Sequence, residues 1–294
     1  VTREAAGHLA MLVFSALVAG SFALGSKAAN LLDPAALNAL RFTLATVLIG
    51  VVGFALRRIK RSDARAPWRY FVLGALLATY FVLMFEGLKT AAPVSAAAVF
   101  TLTPIMAGGF GYLVMRQVMT LRMALALFIG AIGALWVIFR ADLAAVLAFQ
   151  VGRGEAVYFW GCVAHALYAP MVPRLNRGES PVAFTFGTLL AATVILWTLG
   201  GPELMRAEWY AIPAVVWITI LYTAIAATAA TFVLLQFASL RLPAAKVMAY
   251  TYLTPSWVIL WQIALDGQVP PLLTLGGVGL SILALLLLLR RSTA

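Results

Sequence analysis

The sequence predicts an all-α integral membrane protein, with ten transmembrane helices arranged as two inverted five-helix repeats around a central cavity. Three observations predict it. Hydrophobic residues make up 64% of the 294 positions and charged residues 11%, with a mean hydropathy of +1.00; a soluble domain is usually ~25% charged. The apolar residues gather into ten runs, each near the ~20 residues a spanning helix needs. Finally, Leu102-Thr103-Pro104, in the middle of the fourth run, returns 151 positions later as Leu253-Thr254-Pro255, in the middle of the ninth.

The runs cover 8–28, 34–56, 69–89, 93–115, 121–139, 155–173, 181–200, 213–237, 244–265 and 272–289. The first contains the apolar stretch Leu9 to Gly25, read as a retained span rather than a signal peptide because many similar runs follow. The second opens at Asp33-Pro34 and the seventh at Ser180-Pro181, turn residues that mark these joints. Pro93 opens the fourth, Gly200-Gly201-Pro202 separates the seventh from the eighth, and Pro243 and Pro270-Pro271 flank the ninth. Small residues concentrate at Gly108 in the fourth run, Gly133 in the fifth, Ala227 in the eighth and Gly277 in the tenth, where helix backbones can approach closely.

The loop from Arg140 to Glu155 divides the chain into units 1–147 and 148–294. Five spans is an odd number, so the second unit enters the membrane upside down relative to the first, a plan common in secondary transporters. Fifteen Lys and Arg fall on the side holding both termini and five on the other, with Arg41 inside a span. That bias puts both termini in the cytoplasm. It also explains the net charge of +11 through short loops rather than through nucleic acid. The expected partners are a small-molecule substrate and membrane lipids, and a monomer is favoured.

Pro104 and Pro255 each remove a backbone donor inside an apolar run, freeing the carbonyls of Phe100 and Thr251. With no water at that depth, Thr103 and Thr254 are expected to offer their hydroxyls to the backbone one turn back. A helix broken once in each half points to a binding site between repeats, with the two prolines as hinges.

Little supports catalysis. No phosphate-binding Gly-x-x-x-x-Gly-Lys motif, zinc-spaced Cys/His cluster or Gly-x-Ser-x-Gly elbow occurs, and the histidines are His8 and His165. The lone Cys162 allows no internal disulfide. No cofactor and no metal are expected. An intramembrane lipid-modifying enzyme, the rival class, would need paired carboxylates or several histidines at one depth. The carboxylates instead fall near the membrane faces, which favours gradient-driven facilitated transport over tight proton antiport.

Helical spacing suggests the site. Lys246, Tyr250, Thr254, Trp257 and Trp261 share a face of the ninth span, and Gly161, His165 and Tyr168 a face of the sixth. Tyr80 lies mid-span on the third and Tyr222 on the eighth. A phenol or imidazole at mid-depth wants a polar partner or a wet cavity. One cavity is therefore expected, lined by Tyr80, Phe100, Thr101, His165, Tyr168, Tyr222, Tyr250, Tyr252 and Trp257, with Lys246 at its inner end guiding a carboxylate. Arg41 either packs by bonding first-span carbonyls or serves as the cation for a substrate carboxylate. Many rings and few charges suit a neutral, zwitterionic, partly apolar solute. Nucleotide sugars would want several convergent cations; a polyamine or toxic cation is the other alternative.

Gly20-Ser21-Phe22 and Lys27 on the first span, Pro34 and Arg41-Phe42 on the second, and the paired Leu-Thr-Pro motifs together resemble the drug/metabolite transporter superfamily, in its EamA-type branch. Length and interior aromatics are most similar to bacterial aromatic amino-acid exporters of the YddG type. The resemblance implies ten helices, a central cavity, an inner-membrane location and outward transport by alternating access. It departs at the glutamate these proteins often carry after the fourth and ninth spans, where this chain has Arg116 and Asp266.

Overall fold

A computed structural model describes residues 3–116, 120–139, 142–147, 151–239, 241, 247, 249–267 and 272–289. Among them the regular structure is helical. In chain order the α-helices are α1 (Arg3–Ala28), α2 (Pro34–Ala55), α3 (Trp68–Leu88), α4 (Pro93–Phe100), α5 (Thr103–Met115), α6 (Leu121–Ile138), α7 (Leu143–Leu147), α8 (Arg153–Leu175), α9 (Pro181–Arg206), α10 (Ala214–Ala224), α11 (Thr231–Ser239), α12 (Thr254–Asp266) and α13 (Leu272–Leu289).

Among the described residues, six stretches are long and apolar enough to cross a membrane: Glu4–Ala28, Pro34–Ala55, Trp68–Leu88, Pro93–Met115, Pro181–Arg206 and Ala214–Leu235. Ala124–Ile138 and Leu275–Leu287 are shorter apolar helices. At 23 residues α8 is as long as the six but more polar, carrying Glu155, His165 and Arg174 and two internal prolines, Pro170 and Pro173. Leu113, Phe128, Trp160, Leu199 and Ile218 are exposed, an exterior suited to lipid rather than water.

The helix starts follow local chemistry. Asp33 accepts from the N–H groups of Ala35 and Ala36 at 2.9 and 3.0 Å, with Pro34 opening α2. Ser180 accepts from the Ala183 N–H at 3.2 Å, with Pro181 opening α9. In both, a side-chain oxygen takes up donors the first turn leaves orphaned.

Neither central proline makes a simple kink. The first run stops at Phe100 and restarts at Thr103, and Pro104 sits in the first turn of α5. There its missing N–H costs nothing. The second run reaches Pro255 through a 3-10 turn, Tyr250–Leu253, and restarts as α12. The expected hydroxyl donors are corrected. Neither the Thr103 nor the Thr254 hydroxyl bonds the backbone. Instead Thr101 Oγ1 donates to the Ala98 carbonyl at 2.7 Å, and the Thr254 N–H bonds the Thr251 carbonyl. Shorter-range backbone bonds tighten the chain just before each proline.

Packing pairs the two halves of the chain. α3 lies against α8 and α9, α2 against α9, and α6 against α13; α1 lies against α10, α11 and α12. α5 packs on α8, as α12 packs on α1. Close approach rests on glycine at α6–α13: a side chain on Gly133 would strike the Gly277 carbonyl, and one on Gly277 the Gly133 carbonyl. Ile225–Ala230, between α10 and α11, is π-helical. There Thr228 Oγ1 donates to the Thr223 carbonyl, five residues back, at 2.8 Å.

Ion pairs sit at the helix ends. Arg69 is buried at the start of α3 and donates to Glu179 Oε1 and to the Leu175 carbonyl, both at 2.6 Å. Burial raises the Glu179 carboxyl. The Arg69 bond and backbone N–H groups, including that of Arg177, outweigh burial and hold it down at about 2. Lys27 pairs with Asp266, tying the end of α1 to the end of α12, and Lys89 pairs with Glu86 at 2.6 Å.

Candidate functional site

A cavity of about 170 Å³ lies between the halves. Its walls come from α1 (Phe14, Ser21, Phe22), α2 (Arg41, Phe42), α3 (Tyr80, Phe81), the end of α4 (Phe100), α8 (His165, Tyr168), the π turn (Thr228) and Thr251 beside the second break. Four residues expected from sequence meet there: Tyr80, Phe100, His165 and Tyr168. Their rings form a chain. Tyr80 stacks on His165 at 4.4 Å between centroids, His165 is parallel to Tyr168 at 6.1 Å, and Phe100 lies 5.8 Å from His165. The Tyr80 hydroxyl is paired with that of Tyr158 at 3.1 Å, which meets the phenol's need for a partner and leaves the ring in the wall.

The other expected residues lie elsewhere, each for a local reason. Thr101 turns back onto Ala98. Tyr222 donates to the Leu17 carbonyl at 2.9 Å, its ring filling the space left by Gly20. Tyr250 bonds His8 Nδ1 at 2.8 Å. Tyr252 is fully buried with Leu127, Ala284 and Leu285, against Gly130. Trp257 Nε1 donates to Ser15 Oγ at 2.9 Å. The structure packs these five away from the cavity wall. Lys246 lies outside the described residues.

Arg41 does not bond first-span carbonyls. Its Nε and Nη2 donate to Thr228 Oγ1 at 3.4 and 3.1 Å, and its guanidinium lies 4.0 Å from the Phe81 ring centroid. Phe81 is held from behind, since Asn38 Nδ2 donates to its carbonyl at 3.3 Å. Sequence reasoning missed Phe81 and Thr228 as lining residues. Phe81 had a signal, as the neighbour of a mid-span tyrosine. Thr228 had none, because nothing in Ile-Ala-Ala-Thr-Ala-Ala announces a π turn. Among the described lining residues Arg41 is the one charged group, and no carboxylate is present.

Apolar spanning helices around an aromatic-walled chamber define a multi-pass membrane protein. The comparisons agree. The EamA-like transporter family matches residues 5–139 and, separately, residues 152–290, so the chain belongs to that family, within the drug/metabolite transporter superfamily. It is 27% identical over 191 residues to a Bacillus subtilis (strain 168) protein described as "Uncharacterized transporter YyaM". That match spans 64% of this chain and 63% of the relative's length. A solved structure described only as "Crystal structure of protein" shares the fold, with a TM-score of 0.69 over 97% of this chain and 95% of the other, at 19% identity. Family and relative both point to a transporter rather than an enzyme.

Proposed function

We propose that the protein is a secondary transporter of the bacterial inner membrane that exports small zwitterionic metabolites, amino acids including aromatic ones, by alternating access. The observation that carries this reading is the wall of stacked rings (Tyr80, His165, Tyr168 and Phe100) around a chamber with one cation and no carboxylate among its described residues. At about 170 Å³ the chamber is smaller than the ~300–1,000 Å³ of drug-sized ligand pockets, which suits a small metabolite. The carbonyl end of α4 at Phe100 suits an ammonium group, being the negative end of a helix.

Two inverted five-helix units, 1–147 and 148–294, are part of the proposal. The two separate family matches support it, as does a packing scheme in which α3 on α8 mirrors α10 on α1. The lysine and arginine bias supports cytoplasmic termini. In this reading Pro104 and Pro255 are the hinges, Lys246 helps guide the carboxylate, and the working unit is a monomer in lipid. Transport is facilitated rather than tightly proton-coupled.

A counterflow panel in proteoliposomes tests the substrate: phenylalanine, tyrosine, tryptophan, threonine, methionine, a polyamine and a nucleotide sugar. Exchange of the amino acids is the expected result. Exchange of only the last two would end the amino-acid reading.

A further inference from the structure

Arg41 is 1% exposed inside the helix bundle, and its Nη1 has no partner. A guanidinium stays charged, and a buried, unpaired charge carries a large desolvation penalty. Its surroundings do not neutralise it. Thr228 Oγ1 donates to the Thr223 carbonyl and so turns its lone pairs toward Arg41, but it is neutral. Phe81 covers one face of the guanidinium at 4.0 Å and contributes its π electrons. Several described carboxylates are engaged elsewhere: Glu155 with Ser95, Glu179 with Arg69, Glu86 with Lys89, Asp266 with Lys27 and Glu203 with Arg206.

A second orphan lies along the same wall. His165 Nδ1 is buried without a partner. The rings joining the two run from Phe81 to Tyr80 at 4.6 Å and from Tyr80 to His165 at 4.4 Å. The chamber thus has a cationic end short of one acceptor, an aromatic middle, and an imidazole short of one partner.

We propose that Arg41 is the anion subsite of this chamber. It takes the carboxylate of a substrate whose ring lies against Tyr80 and His165, with Phe81 as the cover that swings aside to admit it. This rests on the aromatic-solute reading above and adds a selectivity to it. A carboxylate is required and an amine is dispensable, so aromatic monocarboxylates bind while amines of the same size do not. The free Nη1 supplies the strong charge-assisted bond that Thr228 cannot.

The test is titration calorimetry on the purified full chain in nanodiscs with three probes that share one ring: L-phenylalanine, 3-phenylpropionate (carboxylate only) and phenethylamine (amine only). The expected order places 3-phenylpropionate about tenfold or more tighter than phenethylamine. Arg41→Met should abolish that preference. Should Arg41→Met fail to fold, Arg41→Lys keeps the charge but loses the planar fork, and is expected to weaken the carboxylate probes about tenfold while leaving the amine unchanged. Equal or tighter binding of the amine, no binding of either single-charge probe at millimolar concentration, or an Arg41 variant that keeps the full preference would overturn the proposal. Failure of the amino-acid reading looks different: 3-phenylpropionate binds through Arg41, yet no amino acid undergoes counterflow.

Discussion

The chain places tyrosines and other aromatics on two helix pairs, α3 with α8 and α10–α12 with α1, and uses them in opposite ways. On the first pair Tyr80, His165 and Tyr168 present ring faces to the chamber, because the Tyr80 hydroxyl finds its partner in Tyr158, away from the cavity. On the second, Tyr222, Trp257 and Trp261 spend their polar atoms on α1, reaching the Leu17 carbonyl, Ser15 Oγ and the Ala16 carbonyl. Gly20 makes this possible, since any side chain there would collide with the Tyr222 ring. Aromatic side chains of the spans therefore divide into lining and latch. What divides them is where the hydrogen-bond partner lies, not their own chemistry.

The largest effect expected from this contrast is on flux. Tyr80→Ala or His165→Ala should lower amino-acid counterflow by about tenfold or more, the scale of losing a principal contact. Tyr222→Phe and Trp257→Phe should stay within about twofold, while each lowers stability by about 1 kcal/mol through a lost hydrogen bond. Comparable flux losses in both sets would erase the distinction between lining and latch. Next in size is Gly20→Val, which should cost about 1–3 kcal/mol by overpacking the Tyr222 ring. Thermal unfolding in detergent reads this directly, and an unchanged midpoint would mean the latch is loose.

Pro104→Ala and Pro255→Ala compare the two breaks. Each should let its helix run on and slow flux severalfold while substrate affinity stays near wild type. Wild-type flux in both would leave the prolines as packing. The smallest effect is on pH dependence, far from the chamber. The Glu179 carboxyl is held at about 2 against an ordinary 4.5, so its contribution to stability is complete above 4.5 and is lost as pH falls through about 2. A thermal-unfolding series should show that loss in the wild type and not in Glu179→Gln; parallel curves would assign the acid sensitivity elsewhere.

The membrane class and the two breaks were legible because they are local signals. Run length needs no partner, and a proline acts on its own turn. Asp33-Pro34 and Ser180-Pro181 gave true helix starts for the same reason. His165 and Tyr168 were legible as a pair because three residues on a helix share a face. Tyr250 and Trp257 turn to α1, whose facing residues lie more than two hundred positions away, and Tyr252 turns to α6 and α13, so helical spacing within the segment could not place them. Thr228 was invisible because helical spacing assumes an α-helix, and Ile225–Ala230 is wound differently.

That winding has a consequence for how such a chamber changes over generations. A π turn holds one residue more than an α turn and is enriched at functional sites. Removing any one of its alanines would restore an unbroken α-helix without disturbing the apolar character of the span. Because the π turn already absorbs the extra residue, Thr231, Phe232 and Leu235 beyond it would keep their faces, and the change would fall on the turn itself, where Thr228 meets Arg41. That one contact is therefore set by a count of residues as well as by their identities. A single-codon deletion would reset the polar partner of the chamber's cation in one step and leave the apolar wall beyond it in place.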